Sequence, residues 1–145
     1  MAAQHQQIVR AVFDRVAHGA AAGLMNIRSD ELLALAREVF EAPDAGERHW
    51  RCAAGAAYYA LYHEVVAVVN YDPAKSAGGS HAVVRQALFS LPIAASPFVV
   101  SAKAHWNKLL DRRVAADYHV KADFTKTNAQ WAVETVEFIF SKKEN

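Results

Sequence analysis

The run Lys108-Leu-Leu-Asp-Arg-Arg-Val-Ala-Ala-Asp-Tyr-His-Val-Lys121 closes a long stretch of helical patterning, and it decides how the rest of the chain is read. It holds two adjacent arginines, an Ala-Asp-Tyr triplet and a histidine directly after it. At 3.6 residues per turn, residues seven apart return to nearly the same helix face. Arg112 and His119 are seven apart, and His105 is seven before Arg112, so the three are expected to share a face. Arg113 falls on a neighbouring face, four residues before Asp117. A guanidinium offers a fork of donors to phosphate oxygens, and an imidazole titrates near neutral pH, so the pair suits phosphate chemistry. A structural account fits the same spacing. Arg113 and Asp117 make an i, i+4 ion pair, in the weaker orientation with the acid C-terminal, and a histidine at a helix end is favoured by the helix dipole.

Upstream of this run, Ser96-Pro97 is a cap followed by proline at the first helical position, which opens a helix from Pro97 to about His119. Phe98, Ala102, Trp106, Leu109 and Leu110 form its apolar side. Downstream, Asp123 to Lys126 breaks the pattern. Thr127 with Gln130 reads as a capping box, and Trp131, Thr135, Phe138 and Ile139 mark a last helix before the polar tail Ser141 to Asn145.

Further toward the N-terminus, Ser80 reads as the cap of a short helix, His81 to about Ser90. It follows a loop from Asn70 with strong breakers at Asp72-Pro73 and Gly78-Gly79. The Gly-Gly-Ser-His run lacks both the Gly-Lys-Ser/Thr ending and the preceding strand of a phosphate-cradling loop. Glu47 to about Val69 is another long helix, striped by Trp50, Ala54, Ala57, Leu61, Val65 and Val68. Its Ala53 to Ala57 segment is a patch of small residues that admits a close neighbour, and Gly55 within it costs about 1 kcal/mol of helix propensity. Arg51, Tyr58 and Tyr62 lie together on one side of this helix, with Tyr59 and His63 beside them; core and interface packing accounts for such an aromatic cluster. Ser29 reads as an N-cap with Asp30 and Glu31 in the first turn, and Leu32, Leu35, Ala36, Val39 and Phe40 fall at helical spacing before Pro43 and Gly46. Gln4 to about His18 reads as a further short helix. Nothing alternates with period two and there is no internal repeat, so the expected fold is all-α, an up-and-down bundle of about five helices.

A chain of 145 residues is expected to form one domain with a real core. Its net charge of +1 announces no global basic field, so any RNA binding must come from a local patch and no DNA binding is expected. One cysteine, Cys52, excludes an internal disulfide framework and fits a reducing compartment. Met1 to Gln7 is polar and no uncharged apolar run reaches the length of a membrane span, so a cytoplasmic protein with no membrane partner is expected. Metal and nucleophile motifs are absent: there is no His-Glu-x-x-His, no Cys-x-x-Cys, and no Gly-x-Ser-x-Gly elbow. The seven histidines are scattered. No metal or cofactor is expected, and the chemistry left available to an enzyme is Arg and His.

Arg51-Cys-Ala-Ala-Gly-Ala-Ala-Tyr58-Tyr59-Ala-Leu-Tyr-His63 resembles the Arg-then-Ala-Tyr-Tyr-Ala segment of HEPN domains. The Ser80-His81 helix start and the run Arg113-Val-Ala-Ala-Asp117-Tyr118, with the final helix after it, follow in the family's order. The resemblance covers roughly Asp30 to Lys142, with residues 1–28 an added N-terminal helix. It implies a small helical bundle, usually dimeric. Its active members are metal-independent ribonucleases carrying an Arg, four to six residues, then a His, often in toxin–antitoxin or phage-defence systems. Arg113 to His119 has five intervening residues and Arg112 to His119 six, so both spacings fit. The chain departs from the family where Val114 replaces the usual polar residue, and where Val120 and Lys121 replace the His-x-Tyr that a partner nucleotidyltransferase modifies in one branch.

Two functions follow from the resemblance. In the first, a homodimer cuts RNA, with Arg112, Arg113 and His119 catalytic. In the second, a non-catalytic module binds nucleotide, RNA or a partner protein, such as a cognate antitoxin of the minimal nucleotidyltransferase type. Arg51, Tyr58, His105, Asp117 and Tyr118 are the expected binding or supporting residues. The small-residue patch and the His105–Arg112–His119 stripe are expected to meet a second copy of the chain.

Overall fold

The computed structural model describes residues 27–72, 80–92 and 96–143. The N-terminal helix expected at Gln4 to His18 lies outside them. Among the described residues there are five helices and no strand: α1 (Ser29–Phe40), α2 (Glu47–Val68), α3 (Ser80–Ser90), α4 (Pro97–Tyr118) and α5 (Lys126–Phe140). The all-α helical bundle expected from the periodicity is what forms.

Helix α2 is the centre and packs against all four others. Its sequence explains why. Ala53, Ala54, Gly55, Ala56 and Ala57 are all buried, so this helix is covered on several sides rather than along one stripe. Small side chains let each neighbour approach its backbone closely. The patch is therefore filled by the chain's own helices, which corrects the expectation that it awaits a second copy. Contacts set the directions. Arg51 near the start of α2 reaches the end of α4, while Ser29 at the start of α1 donates to Glu64 near the end of α2. Phe98 at the start of α4 meets Phe140 at the end of α5. Thus α1 and α4 run antiparallel to α2, and α5 runs antiparallel to α4.

The core is centred on Trp106, Tyr58, Leu61, Leu88, Leu109, Val133 and Ile139, each at most 1% exposed. Several residues expected on apolar faces sit nearer the surface, Val68 at 44% exposed among them. Trp50 and Trp131 are only partly buried against the core, and Phe138 is 49% exposed. For Trp131, α4 presents Lys108 and Arg112 to the indole. A fully buried tryptophan truncated to alanine costs about 3–5 kcal/mol. Trp131→Ala is accordingly expected to lose only about 1–2 kcal/mol in a urea melt, against the full range for Trp106→Ala. Equal losses would place Trp131 in the core after all.

Helix ends follow local chemistry. Ser96 accepts from the Val99 amide at 3.1 Å, with Pro97 at the first turn, as expected. The cap of α5 is Thr125, which accepts from the Asn128 amide at 3.2 Å, not Thr127. Gln130 does not complete a capping box; its amide donates to Glu134 at 3.0 Å. Ser29 is already helical and its hydroxyl is taken by Glu64, so Arg28 holds the cap position and Glu31 accepts from its amide at 3.0 Å. Ser80 likewise lies inside α3. Helix α2 ends in a Schellman motif: the Tyr71 amide donates to the Val66 carbonyl at 3.1 Å and that of Asn70 to Ala67 at 3.3 Å. Asn70 takes the left-handed position with φ 53°, which asparagine tolerates better than most residues.

Candidate functional site

Helices α2, α3 and α4 meet at a cluster of tyrosines and histidines around Arg113. Adjacent arginines on a helix point about 100° apart, and here the two go to different neighbours. Arg113 turns inward. It donates through Nη2 to the Tyr59 hydroxyl at 2.6 Å, and its Nε lies 3.0 Å from an Asp117 carboxylate oxygen. Its guanidinium sits 5.2 Å from the Tyr59 ring centroid, 5.3 Å from Tyr118 and 6.0 Å from Tyr58. The i, i+4 pair expected from the spacing is formed. Partial burial pushes the Asp117 carboxyl above its ordinary value, and Arg113 opposes that rise.

Tyr58 is fully buried, and its hydroxyl lies 2.8 Å from His81 Nδ1. Burial raises the Tyr58 phenol well above the tyrosine range, so it remains a hydroxyl. The His81 ring stacks on Tyr58 at 5.7 Å and leans on Tyr62 at 4.5 Å. His63 stacks beside Tyr59 and meets Tyr62 edge-on at 5.2 Å, with its Nε2 buried and without a hydrogen-bond partner. Burial lowers the basicity of both imidazoles: that of His63 falls to about 4, with His81 adding to the effect, and that of His81 falls further through the Arg113 charge. At neutral pH the cluster therefore holds neutral rings around a single Arg–Asp pair.

A stability consequence has a definite sign. His63 is less basic folded than unfolded, so the unfolded chain binds more protons between about pH 6.5 and pH 4. The contribution is complete above pH 6.5 and is lost as pH falls toward about 4. At about 1.4 kcal/mol per pKa unit it amounts to at most about 3–4 kcal/mol, and the lowered His81 acts in the same direction. Urea melts across this window should show stability falling on acidification, and His63→Phe should flatten the slope. An unchanged slope in the variant would mean that His63 is already open to protons when folded.

Arg51 serves the fold. It donates to the carbonyls of Ala115 at 2.9 Å, Ala116 at 3.0 Å and His119 at 3.2 Å, reaches that of Ala122, and pairs with Glu47 at 2.8 Å. These carbonyls lie at the end of α4 and in the turn after it, and two of them, those of Ala115 and His119, also accept from the backbone amides of His119 and Ala122. Placed 5.4 Å from the Phe124 ring centroid, the guanidinium closes the C-terminus of α4 and the turn that follows. Tyr118 is 65% exposed and covers Arg113 from outside.

Arg112 faces α5. Its guanidinium lies 5.6 Å from the Trp131 centroid and forms no ion pair among the described residues. His105, one stripe back, is held through Nδ1 to the Ser101 carbonyl at 2.9 Å and meets Phe138 at 6.3 Å. His119 occupies the C-cap of α4 and is exposed. The expected site residues thus divide. Arg113, Asp117, Tyr118 and Tyr58 gather in the three-helix cluster, Arg51 caps α4, and Arg112 and His105 lie along α5. Reasoning from spacing missed His63, His81 and the Tyr59 hydroxyl as partners of that cluster. Its sequence signals were the Tyr59 and His63 pairing on α2 and the Ser80-His81 helix start.

Among the described residues no three His, Cys, Asp or Glu side chains are grouped to hold a metal ion, and no helix is long and apolar enough to cross a membrane. Comparison with protein-family models, with curated proteins and with solved structures finds no match for this chain.

Proposed function

We propose that the chain is a HEPN-type module that acts on RNA as a homodimer and cuts it without a metal ion. One observation carries this reading: the division of the two arginines. Arg113 is engaged by Tyr59 and Asp117, whereas Arg112 has no ion pair among the described residues and lies on the helix that ends at the exposed His119. Of the two Arg-to-His spacings, the one through Arg112 leaves both groups able to meet a phosphate. In a two-fold dimer two such pairs face one groove. One His119 imidazole takes the proton of a ribose 2′-hydroxyl. The 2′-oxygen attacks phosphorus, the bond to the 5′-oxygen breaks, and the second subunit's imidazolium protonates that oxygen. Arg112 stabilises the charge that gathers on the phosphoryl oxygens. The products are a 2′,3′-cyclic phosphate and a free 5′-hydroxyl.

A second reading, a module that binds nucleotide, RNA or an antitoxin-like partner without cutting, is favoured by a separate observation. Arg51, Tyr58, Arg113 and Asp117 are all used in contacts within the chain. The deciding experiment incubates purified protein with RNA, with and without EDTA, and identifies the product ends, alongside light scattering at tens of micromolar. The expected result is a dimer that leaves cyclic-phosphate ends regardless of EDTA. A dimer that cuts nothing supports the binding module, and a monomer counts against both readings.

A further inference from the structure

On the side of α4 away from α3, cations and aromatic rings line the seam with α5. Lys108 Nζ lies 4.6 Å from the Trp131 centroid and Arg112 lies 5.6 Å from it. Seven residues further along α5, about 10 Å at 1.5 Å per residue, the half-exposed Phe138 ring is flanked by His105 at 6.3 Å and by Lys142 Nζ at 4.8 Å. Neither Lys108, Arg112 nor Lys142 forms an ion pair among the described residues. In sequence, Asp111 adjoins Arg112 and Glu144 lies two residues after Lys142; among the described residues Asp111 and Glu134 are exposed, Glu134 accepts from Gln130, and Glu137 is turned to Arg37.

We propose that this seam is a docking surface for single-stranded RNA, with Lys108, Arg112 and Lys142 following the backbone and Phe138 stacking a base. The proposal rests on the RNA reading above and adds where the strand lies. Two features argue for a strand rather than a protein partner. Non-specific single-strand binders combine a cationic track with aromatic faces, because every base has a π-face and every linkage a charge. Trp131 is also covered by two cations, so the indole holds them in place, while Phe138 carries one, Lys142, and remains 49% exposed. Ordering long side chains before binding lowers the entropy cost of gripping phosphates.

The test is fluorescence anisotropy of the full chain with a labelled 2′-O-methyl oligouridylate, whose blocked hydroxyl prevents cleavage, across a salt series. Phe138→Ala is expected to weaken binding about tenfold, the scale of one lost base–ring stack. Lys108→Ala should reduce the slope of log affinity against log salt by about 0.7, the value for one single-strand phosphate contact. Arg85→Ala removes the same charge from α3 and should leave both quantities as in wild type. Circular dichroism melts check folding, and Lys108, being exposed, provides a variant that does not disturb the core. If wild type binds but Phe138→Ala and Lys108→Ala bind equally well, the seam is not the docking surface and the RNA reading stands. If wild type binds no oligouridylate, the RNA reading falls and the seam falls with it.

Discussion

Arg51→Ala is expected to lose about 3 kcal/mol of stability in a urea melt. One side chain, 13% exposed, donates to four main-chain carbonyls and one carboxylate. Hydrogen bonds to a charged group contribute about 1.5–3 kcal/mol each, although the carbonyls of Ala115 and His119 keep their backbone donors when the side chain is removed. The bonds share one guanidinium, so their losses do not add, and the total stays near that of one or two strong bonds. Arg51→Lys should recover little of the loss, because a single ammonium cannot span carbonyls from Ala115 to Ala122. The size of the effect also assigns a role. A ligand-binding arginine on the surface would cost little stability when removed and much affinity, whereas the cap of α4 costs stability first. A loss below about 0.5 kcal/mol, ordinary for surface substitutions, would return Arg51 to the list of binding residues.

Arg51 shows why the fold was legible in the sequence and the site only in part. Helix existence, order and extent came from periodicity and end signals that are local: Ser96-Pro97, the breakers near Asn70 and the apolar rows of α1, α2 and α4. The errors fell at single helix ends, where two side chains compete for one role. Ser29 could not cap α1 because Glu64, 35 residues away, takes its hydroxyl. Thr125 and Thr127 are equal as caps until the chain entering α5 is placed. The same holds for the site. Spacing along α4 put Arg113 four residues before Asp117, and that pair exists, because it is decided within one helix. Spacing cannot report that Tyr59 of α2 and the ring of His81 on α3 come to the same place. Contacts between helices depend on how α3 is rotated and seated, and no pattern within α3 states that. Trp131 misled for a related reason: its position on α5 faces the bundle, but the α4 residues opposite are Lys108 and Arg112, so the indole packs under cations.

His119→Ala is expected to leave the fold and the dimer intact and to abolish RNA cleavage. His119 is exposed at the end of α4, and its carbonyl, not its ring, is the acceptor for Arg51, so truncation keeps the structural contact. A general acid or base contributes about 10²–10⁴-fold; in the proposed two-fold site one substitution removes both the base of one subunit and the acid of the other, which puts the loss at the upper end. The arginines then separate by chemistry. Arg112→Lys should impair cleavage without a matching loss of stability, since an ammonium cannot replace the bidentate fork at a phosphoryl group. Arg113→Lys should do the reverse: it disturbs the hydrogen bond to Tyr59 and the pair with Asp117. Gel assays of cleavage beside urea melts on the three variants read both quantities. Cleavage by His119→Ala at the wild-type rate would sink the ribonuclease reading. Loss of cleavage in Arg113→Lys at unchanged stability would move the chemistry from Arg112 into the three-helix cluster, beside His81.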